Sequence, residues 1–234
     1  MKELKEAVWI TGASSGIGKE LALEFANKKH TVIATARRLN LLEALEKENS
    51  LITPCKLDVS DFAEVDKFYK EFSSKYKFNV LINNAGLTSF EKAENDSIET
   101  IKKIIEVNLL GSIYTIKSVL PDMIERKEGT IINILSVVTK KIFKNSSAYS
   151  ASKNGLYAYL NVLREEVRKY NIRVINVIPG ATKTPIWDSG ILEKFSHRMM
   201  PPSEIASLVY DLAIIKSNIV AEEIILRPKE GDLE

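Results

Sequence analysis

The chain is poor in the residues that staple, ligate metals or span membranes. One cysteine, Cys55, excludes an intramolecular disulfide, and its place in a strand-like segment reads as a small buried hydrophobe rather than a nucleophile. Two histidines, His30 and His197, without cysteine partners, argue against zinc, and no metal site is expected. No apolar run approaches about 18 residues, so no membrane span is expected. The start, Met1-Lys-Glu-Leu-Lys-Glu-Ala-Val-Trp-Ile10, lacks the apolar stretch and cleavage site of a secretory signal. Charge of one sign is lacking too. With 33 Lys+Arg against 31 Asp+Glu, no global field favours nucleic acid or an anionic membrane. The expectation is a soluble cytoplasmic protein.

What is present is enough for one large domain. The chain has 234 residues, 45% of them hydrophobic, and shows no linker, repeat or low-complexity tract, so residues 1–234 are read as a single unit. Short β-rich runs alternate with helix-period segments throughout. Strands are expected near Ala7–Thr11, Thr31–Thr35, Ile52–Leu57, Val80–Asn83, Thr130–Leu135, Ile172–Ile178 and Ile219–Leu226. Helices are expected around Gly16–Asn27, Asn40–Glu48, Phe62–Tyr76, Ile98–Arg126, Ala148–Tyr170 and Pro202–Lys216. That alternation is the pattern of an α/β, doubly wound, parallel seven-stranded sheet with helices on both faces. The two longest helices carry apolar residues on more than one face: Ile104, Val107, Ile113, Ile116 and Leu120 on one, Leu156, Leu160, Leu163 and Val167 on the other. Such helices need a second surface, either a deeper core or a subunit interface, and a homodimer or homotetramer through them is expected.

Three features carry chemistry. Thr11-Gly12-Ala-Ser14-Ser15-Gly16-Ile17-Gly18 lies between the first strand and first helix, where glycines let backbone N–H groups approach a pyrophosphate. Strand two ends Ala34-Thr35-Ala36 and is followed by Arg37 and Arg38, where a dinucleotide site meets the adenosine ribose. An acid there would hold the 2′-hydroxyl of NAD; arginine accommodates the 2′-phosphate of NADP, so NADP is expected over NAD by about tenfold or more, with Arg37 weighted above Arg38. Third, Tyr149 and Lys153 stand four residues apart, on one helix face. A tyrosine of pKa about 10 donates a proton sluggishly at neutral pH. A lysine cation beside it favours the phenolate, and lowering its pKa by about three units takes about 4 kcal/mol, which Lys153 with a second positive charge would supply. Taken alone, the spacing is also that of an ordinary amphipathic helix.

Together these residues resemble the short-chain dehydrogenase/reductase family over nearly the whole chain. The order of motifs is reproduced: the TGxxxGxG turn, Asp58 after strand three, Asn83-Asn84-Ala85-Gly86 after strand four, Asn108, Ser136 after strand five, Tyr149 with Lys153, and Pro179-Gly180 after strand six. The resemblance implies catalytic roles for Ser136 on the substrate oxygen, Tyr149 in proton transfer, Lys153 on the nicotinamide ribose and the Tyr149 pKa, and Asn108 in a water-borne proton relay. It implies cofactor contacts from the turn at Gly12, Ser14, Ser15, Gly16, Ile17 and Gly18, and from Arg37 and Arg38. Further contacts fall to Asp58, Val59, Asn84, Ala85 and Gly86, to Tyr149 and Lys153, and to Pro179, Gly180, Thr182 and Thr184. Helix capping is the competing role for Asp58. Some positions depart from the family pattern: Leu135 before Ser136, Thr139 in place of a glycine, Ser15 where NADP-preferring members often carry a base, and Lys29 at a usual helix-ending glycine. The chain end also lacks an Asp-Gly-Gly close.

The implied activity interconverts a carbonyl and a secondary alcohol of a small-molecule substrate, with a catalytically silent dinucleotide-binding sensor or scaffold as the alternative. Leu87–Asn95, Val137–Ser147 and Thr184–Met200 are expected around the nicotinamide. The last, with Trp187, Ile191, Leu192, Phe195, Met199 and Met200, is expected either to close as a lid or to pack as an amphipathic segment. Lys92, Lys140, Lys141, Lys144, Lys183 and Arg198 in or beside these segments read as a solvated rim rather than an anion site.

Overall fold

The computed structural model describes residues 4–215 and 218–233. Seven strands form one parallel sheet: β1 (Lys5–Thr11), β2 (Val32–Ala36), β3 (Ile52–Lys56), β4 (Tyr76–Asn83), β5 (Gly129–Ile134), β6 (Ile172–Pro179) and β7 (Glu223–Leu226). Their order across the sheet is β3-β2-β1-β4-β5-β6-β7. The helices are α1 (Gly16–Asn27), α2 (Leu39–Glu48), α3 (Phe62–Ser73), α4 (Ile98–Ile105), α5 (Gly111–Arg126), α6 (Ser147–Val167), α7 (Ser189–Phe195) and α8 (Pro202–Ile214). Strand order reverses direction between β1 and β4, so their carboxyl ends open the crevice in which such sheets bind ligands.

Alternation along the strands divides the interior in two. Trp9, Ile33, Leu81, Ile131 and Val174 face a core completed by Val65, Phe68, Ile116, Val119, Leu156 and Leu160 of α3, α5 and α6. Val8, Ile10, Val32, Ile82, Ile132 and Ile175 face the other, with Leu21, Phe25, Leu42 and Val209 of α1, α2 and α8. Fully buried Trp9 donates its indole N–H to Thr35 Oγ1 at 3.0 Å, and Thr35 passes its own proton to the Ile10 carbonyl at 3.2 Å. A buried indole is thereby satisfied without water.

Several expectations are corrected in detail. β4 begins at Tyr76, because Lys5–Ala7 of β1 extend the ladder to Tyr76–Phe78. β7 forms only over Glu223–Leu226, the part that pairs with Asn176–Pro179. The expected helix Ile98–Arg126 is interrupted by a π turn over Glu106–Leu110. The amphipathic faces of α5 and α6 bury mainly against the chain's own sheet: Ile116, Leu156, Leu160, Leu163 and Val167 belong to the first core, while Ile113 is half-buried and Val162 exposed. Lys29 takes the left-handed position (φ 70°) that closes α1, with its N–H on the Ala26 carbonyl. The last residue of the expected Pro202–Lys216 helix, Lys216, lies outside the described residues. Among the described residues, no helix is long and apolar enough to cross a membrane.

Candidate active site

A cleft of about 910 Å³ opens over the carboxyl ends of the strands. Its floor begins at the turn between β1 and α1. Gly12 (φ +65°) adopts a backbone that L side chains avoid, and a Cβ there would stand 2.7 Å from Ala85 Cα. The turn is held from below by Asn84, whose amide nitrogen donates to the Thr11 and Gly12 carbonyls at 3.0 and 3.2 Å. Thr11 Oγ1 accepts the N–H groups of both Asn84 and Ala85. Gly18 lies behind the cleft rather than on it: a Cβ would meet Asn84 Nδ2 at 2.3 Å and the Gly12 carbonyl oxygen at 2.5 Å, so this glycine lets the start of α1 close on Asn84 and the turn. Thr184 sits over the same turn, its methyl 3.0 Å from where a Gly16 Cβ would lie.

At the ribose end, Arg38 rather than Arg37 grips the turn. Its Nη2 donates to Ser14 Oγ at 2.9 Å and Ser15 Oγ at 2.8 Å. Arg37 is exposed and acts on Asp58 through its charge. Burial opposes ionisation of Asp58, but two hydrogen bonds from Ser60 and the Arg37 charge outweigh it and leave the carboxyl below its ordinary value. Asp58 is not the cap of α3. Asp61 is, accepting the N–H groups of Ala63 and Glu64.

The other end gathers Ser136, Tyr149 and Lys153. Ser136 leaves β5 extended and starts a short turn over Val137–Thr139, where Thr139 Oγ1 donates to the Ser136 carbonyl at 2.8 Å. The threonine standing where a glycine is usual thus ties the loop to Ser136. Lys153, only 4% exposed, donates from Nζ to the Ile134 carbonyl at 2.8 Å. Burial pulls its ammonium down to about 8. Tyr149 moves the opposite way from the expectation. Burial raises its phenol, a hydrogen bond with Ser136 offsets part of that, and Lys153 is not among the causes. Its Nζ lies 5.8 Å from the Tyr149 ring centroid.

Asn108 is fully buried behind these groups. Its amide accepts the Leu87 N–H at 2.7 Å and donates to the Leu87 carbonyl at 2.8 Å and to Ser152 Oγ at 2.9 Å. The π turn is what turns this residue inward, as such turns do at functional sites. Ile17, Val59, Gly86, Pro179, Gly180 and Thr182 line the cleft with the residues above; of the expected set only Gly18 and Asn108 do not.

Three segments form the upper wall. Trp187 donates its indole N–H to the Thr182 carbonyl at 3.0 Å and stacks on Phe90 with centroids 4.8 Å apart and planes 6° from parallel. Ile191 and Phe195 of α7 join this wall, while Met199 is buried and Met200 packs on the second core. Main-chain bonds from Met200 to Ala181 and from Lys183 to Met200 pin the base of the segment. The basic residues are mostly spent on partners: Lys140 on Glu223, Lys141 on Asp232, Arg198 on Glu230; of the six, only Lys144 lines the cleft. Phe143 and, from the chain end, Asp232 and Leu233 line it as well. Nothing in the spacing around Asp232 marks it, since its position depends on how the last residues fold back.

The family described as short chain dehydrogenase matches residues 6–192, most of the chain. The chain belongs to this family. Among curated relatives of this short-chain dehydrogenase is a sepiapterin reductase of Chlorobaculum tepidum, 32% identical over 99% of this chain and 99% of the relative. Another is an NADP-dependent 3-hydroxy acid dehydrogenase of Schizosaccharomyces pombe, 30% identical over 95% of this chain and 92% of the relative. An alcohol dehydrogenase from the archaeon Thermococcus sibiricus, solved with 5-hydroxy-NADP, superposes with a TM-score of 0.86 at 28% identity, covering 99% of this chain and all of that one. The chain is thus an oxidoreductase of this family by membership, and its sheet and helices are the family's.

Proposed function

We propose that this chain is an NADP-dependent oxidoreductase that interconverts a carbonyl and a secondary alcohol, with Tyr149 as general acid/base. The residues fit the cofactor at both ends. Gly12 and Gly16 take positive-φ positions in the turn that lines the cleft, no acid stands at Ala34–Ala36, and Arg38 holds its guanidinium on Ser14 and Ser15, where a 2′-phosphate would find a charge-assisted donor. NADPH, when bound, supplies the hydride.

The observation that carries the reading is the pairing of Ser136 with Tyr149 over a buried Lys153 at the closed end of this cleft. With its phenol raised, Tyr149 is protonated at neutral pH and ready to donate to a carbonyl oxygen as negative charge grows there. Ser136 offers that oxygen a second hydroxyl. Lys153, at about 8, is mostly ammonium at neutral pH and would hold the nicotinamide ribose beside Tyr149. Asn108 fixes Leu87 and Ser152 around them and is placed to order the relay.

The named relatives differ in substrate, a sepiapterin reductase and a 3-hydroxy acid dehydrogenase among them, and share only the carbonyl/alcohol class. Assembly into a homodimer or homotetramer through the long helices would cover exposed Val162, and sedimentation of the purified chain checks it. The activity is tested by following NADPH absorbance across a panel of ketones and aldehydes, with Tyr149→Phe as control. Tight NADPH binding without turnover of any carbonyl would instead support the silent binder.

A further inference from the structure

The chain end after β7 turns back over the substrate half of the cleft. The Gly231 N–H donates to the Pro228 carbonyl at 2.9 Å with Gly231 at φ +85°, and this turn brings Asp232 and Leu233 into the cleft wall. Ion pairs fasten it on two sides: Glu230 to Arg198 Nε at 3.2 Å, beyond α7, and Asp232 Oδ2 to Lys141 Nζ at 3.2 Å and to Arg227. The Asp232 side chain is 6% exposed. Its two oxygens are treated unequally. Both cations bond Oδ2, while Oδ1 is buried and among the described residues has no hydrogen-bond partner. A buried carboxylate oxygen left so is costly, and native structures rarely leave one without a purpose.

The same cleft has an apolar part to its wall: Phe90, Trp187, Ile191 and Phe195. The cleft therefore offers two hydroxyls at one end, an aromatic and aliphatic stretch, and a carboxylate acceptor at the chain end. We propose that Asp232 is a specificity-determining residue whose carboxylate, in the cleft wall with one oxygen unpaired, accepts a hydrogen bond from a hydroxyl or ammonium group carried by the substrate beyond its reacting carbonyl. The inference rests on the carbonyl/alcohol reading. It selects hydroxy- or amino-substituted ketones over plain ketones.

The test uses the full chain with NADPH and 2-alkanones of graded length, each compared with its terminal hydroxy, amino and carboxylate derivative. At the length that spans the cleft, the hydroxy or amino group raises kcat/KM by about tenfold or more in the wild type. Asp232→Asn and Asp232→Ala abolish that advantage, read as the ratio of kcat/KM for the substituted over the plain 2-alkanone within each variant. In parallel, the matching alkanediols are titrated into the enzyme–NADP+ complex, read by tryptophan fluorescence. Diol affinity that falls in Asp232→Asn, without turnover of any ketone, keeps the Asp232 site and removes the reductase reading. A discrimination ratio unchanged in both variants, a loss shared equally by plain and substituted ketones, or a preference for the carboxylates overturns the proposal.

Discussion

Lys153→Met should make the cofactor-free protein more stable, not less. The ammonium is buried, its Nζ bonds one carbonyl, Ile134, and burial takes it from an ordinary 10.5 to about 8. That difference corresponds to a penalty of about 3 kcal/mol on the charged form in the folded state. Below about pH 8 both folded and unfolded chains are protonated, and the fold bears the whole penalty. Between about 8 and 10.5 the unfolded chain binds more protons, so stability rises with pH, and above that window the penalty is gone. Methionine has similar length and no charge, but leaves the Ile134 carbonyl without its donor, at a cost of about 1 kcal/mol. The expected net gain is about 2 kcal/mol at neutral pH, shrinking and then reversing through the alkaline window. Urea unfolding of wild type and variant across a pH series reads it as the difference in midpoint at constant m. A variant less stable than wild type at neutral pH, or a difference that does not change with pH, would refute the reasoning.

Arg38→Ala should raise the NADPH Kd by about tenfold to a hundredfold while leaving the NADH Kd within about twofold, since a charge-assisted bond to the 2′-phosphate is worth about 1.5–3 kcal/mol. Isothermal titration with both cofactors checks it, and equal losses would place Arg38 in the support of the turn instead. Gly12→Ala forces a side chain into a positive-φ position against Ala85, so a stability loss of about 2 kcal/mol or more is expected in denaturant unfolding. Lys29→Gly works the other way: it relieves the left-handed residue that closes α1 and should stabilise the protein by about 1 kcal/mol in the same assay.

The first helix was legible to the residue, because Gly16 and the turn before it mark the start of α1 and its apolar face repeats with helical period. The phosphate turn and the Tyr149–Lys153 pair stand out by spacing at a strand end and along one helix, whereas Ser136 entered only through the family resemblance. The π turn was not. Glu106–Leu110 carries ordinary helix formers, and it is the tertiary bond between Asn108 and Leu87 that distinguishes the segment. The sequence favoured Arg37 over Arg38, yet it is Arg38 that reaches Ser14 and Ser15, a contact between residues 23 and 24 apart that the local spacing does not mark. The Tyr149 expectation combined the lysine's charge with a second positive charge and did not count burial, which acts on both Tyr149 and Lys153 in the chain alone. Asp232 was invisible because it reaches the cleft through the turn after β7 and ion pairs with Lys141 and Arg227, contacts far apart or unpatterned in the chain.

The central claim is that Ser136, Tyr149 and Lys153 form the proton-handling end of a nicotinamide site. It is tested most directly by the rate of NADPH oxidation on a carbonyl panel, measured for wild type and Tyr149→Phe alongside the NADPH Kd of each. The account predicts turnover by the wild type, a loss of about a hundredfold or more in the variant, and a Kd unchanged within about twofold. A Tyr149→Phe protein that turns over at the wild-type rate would contradict it.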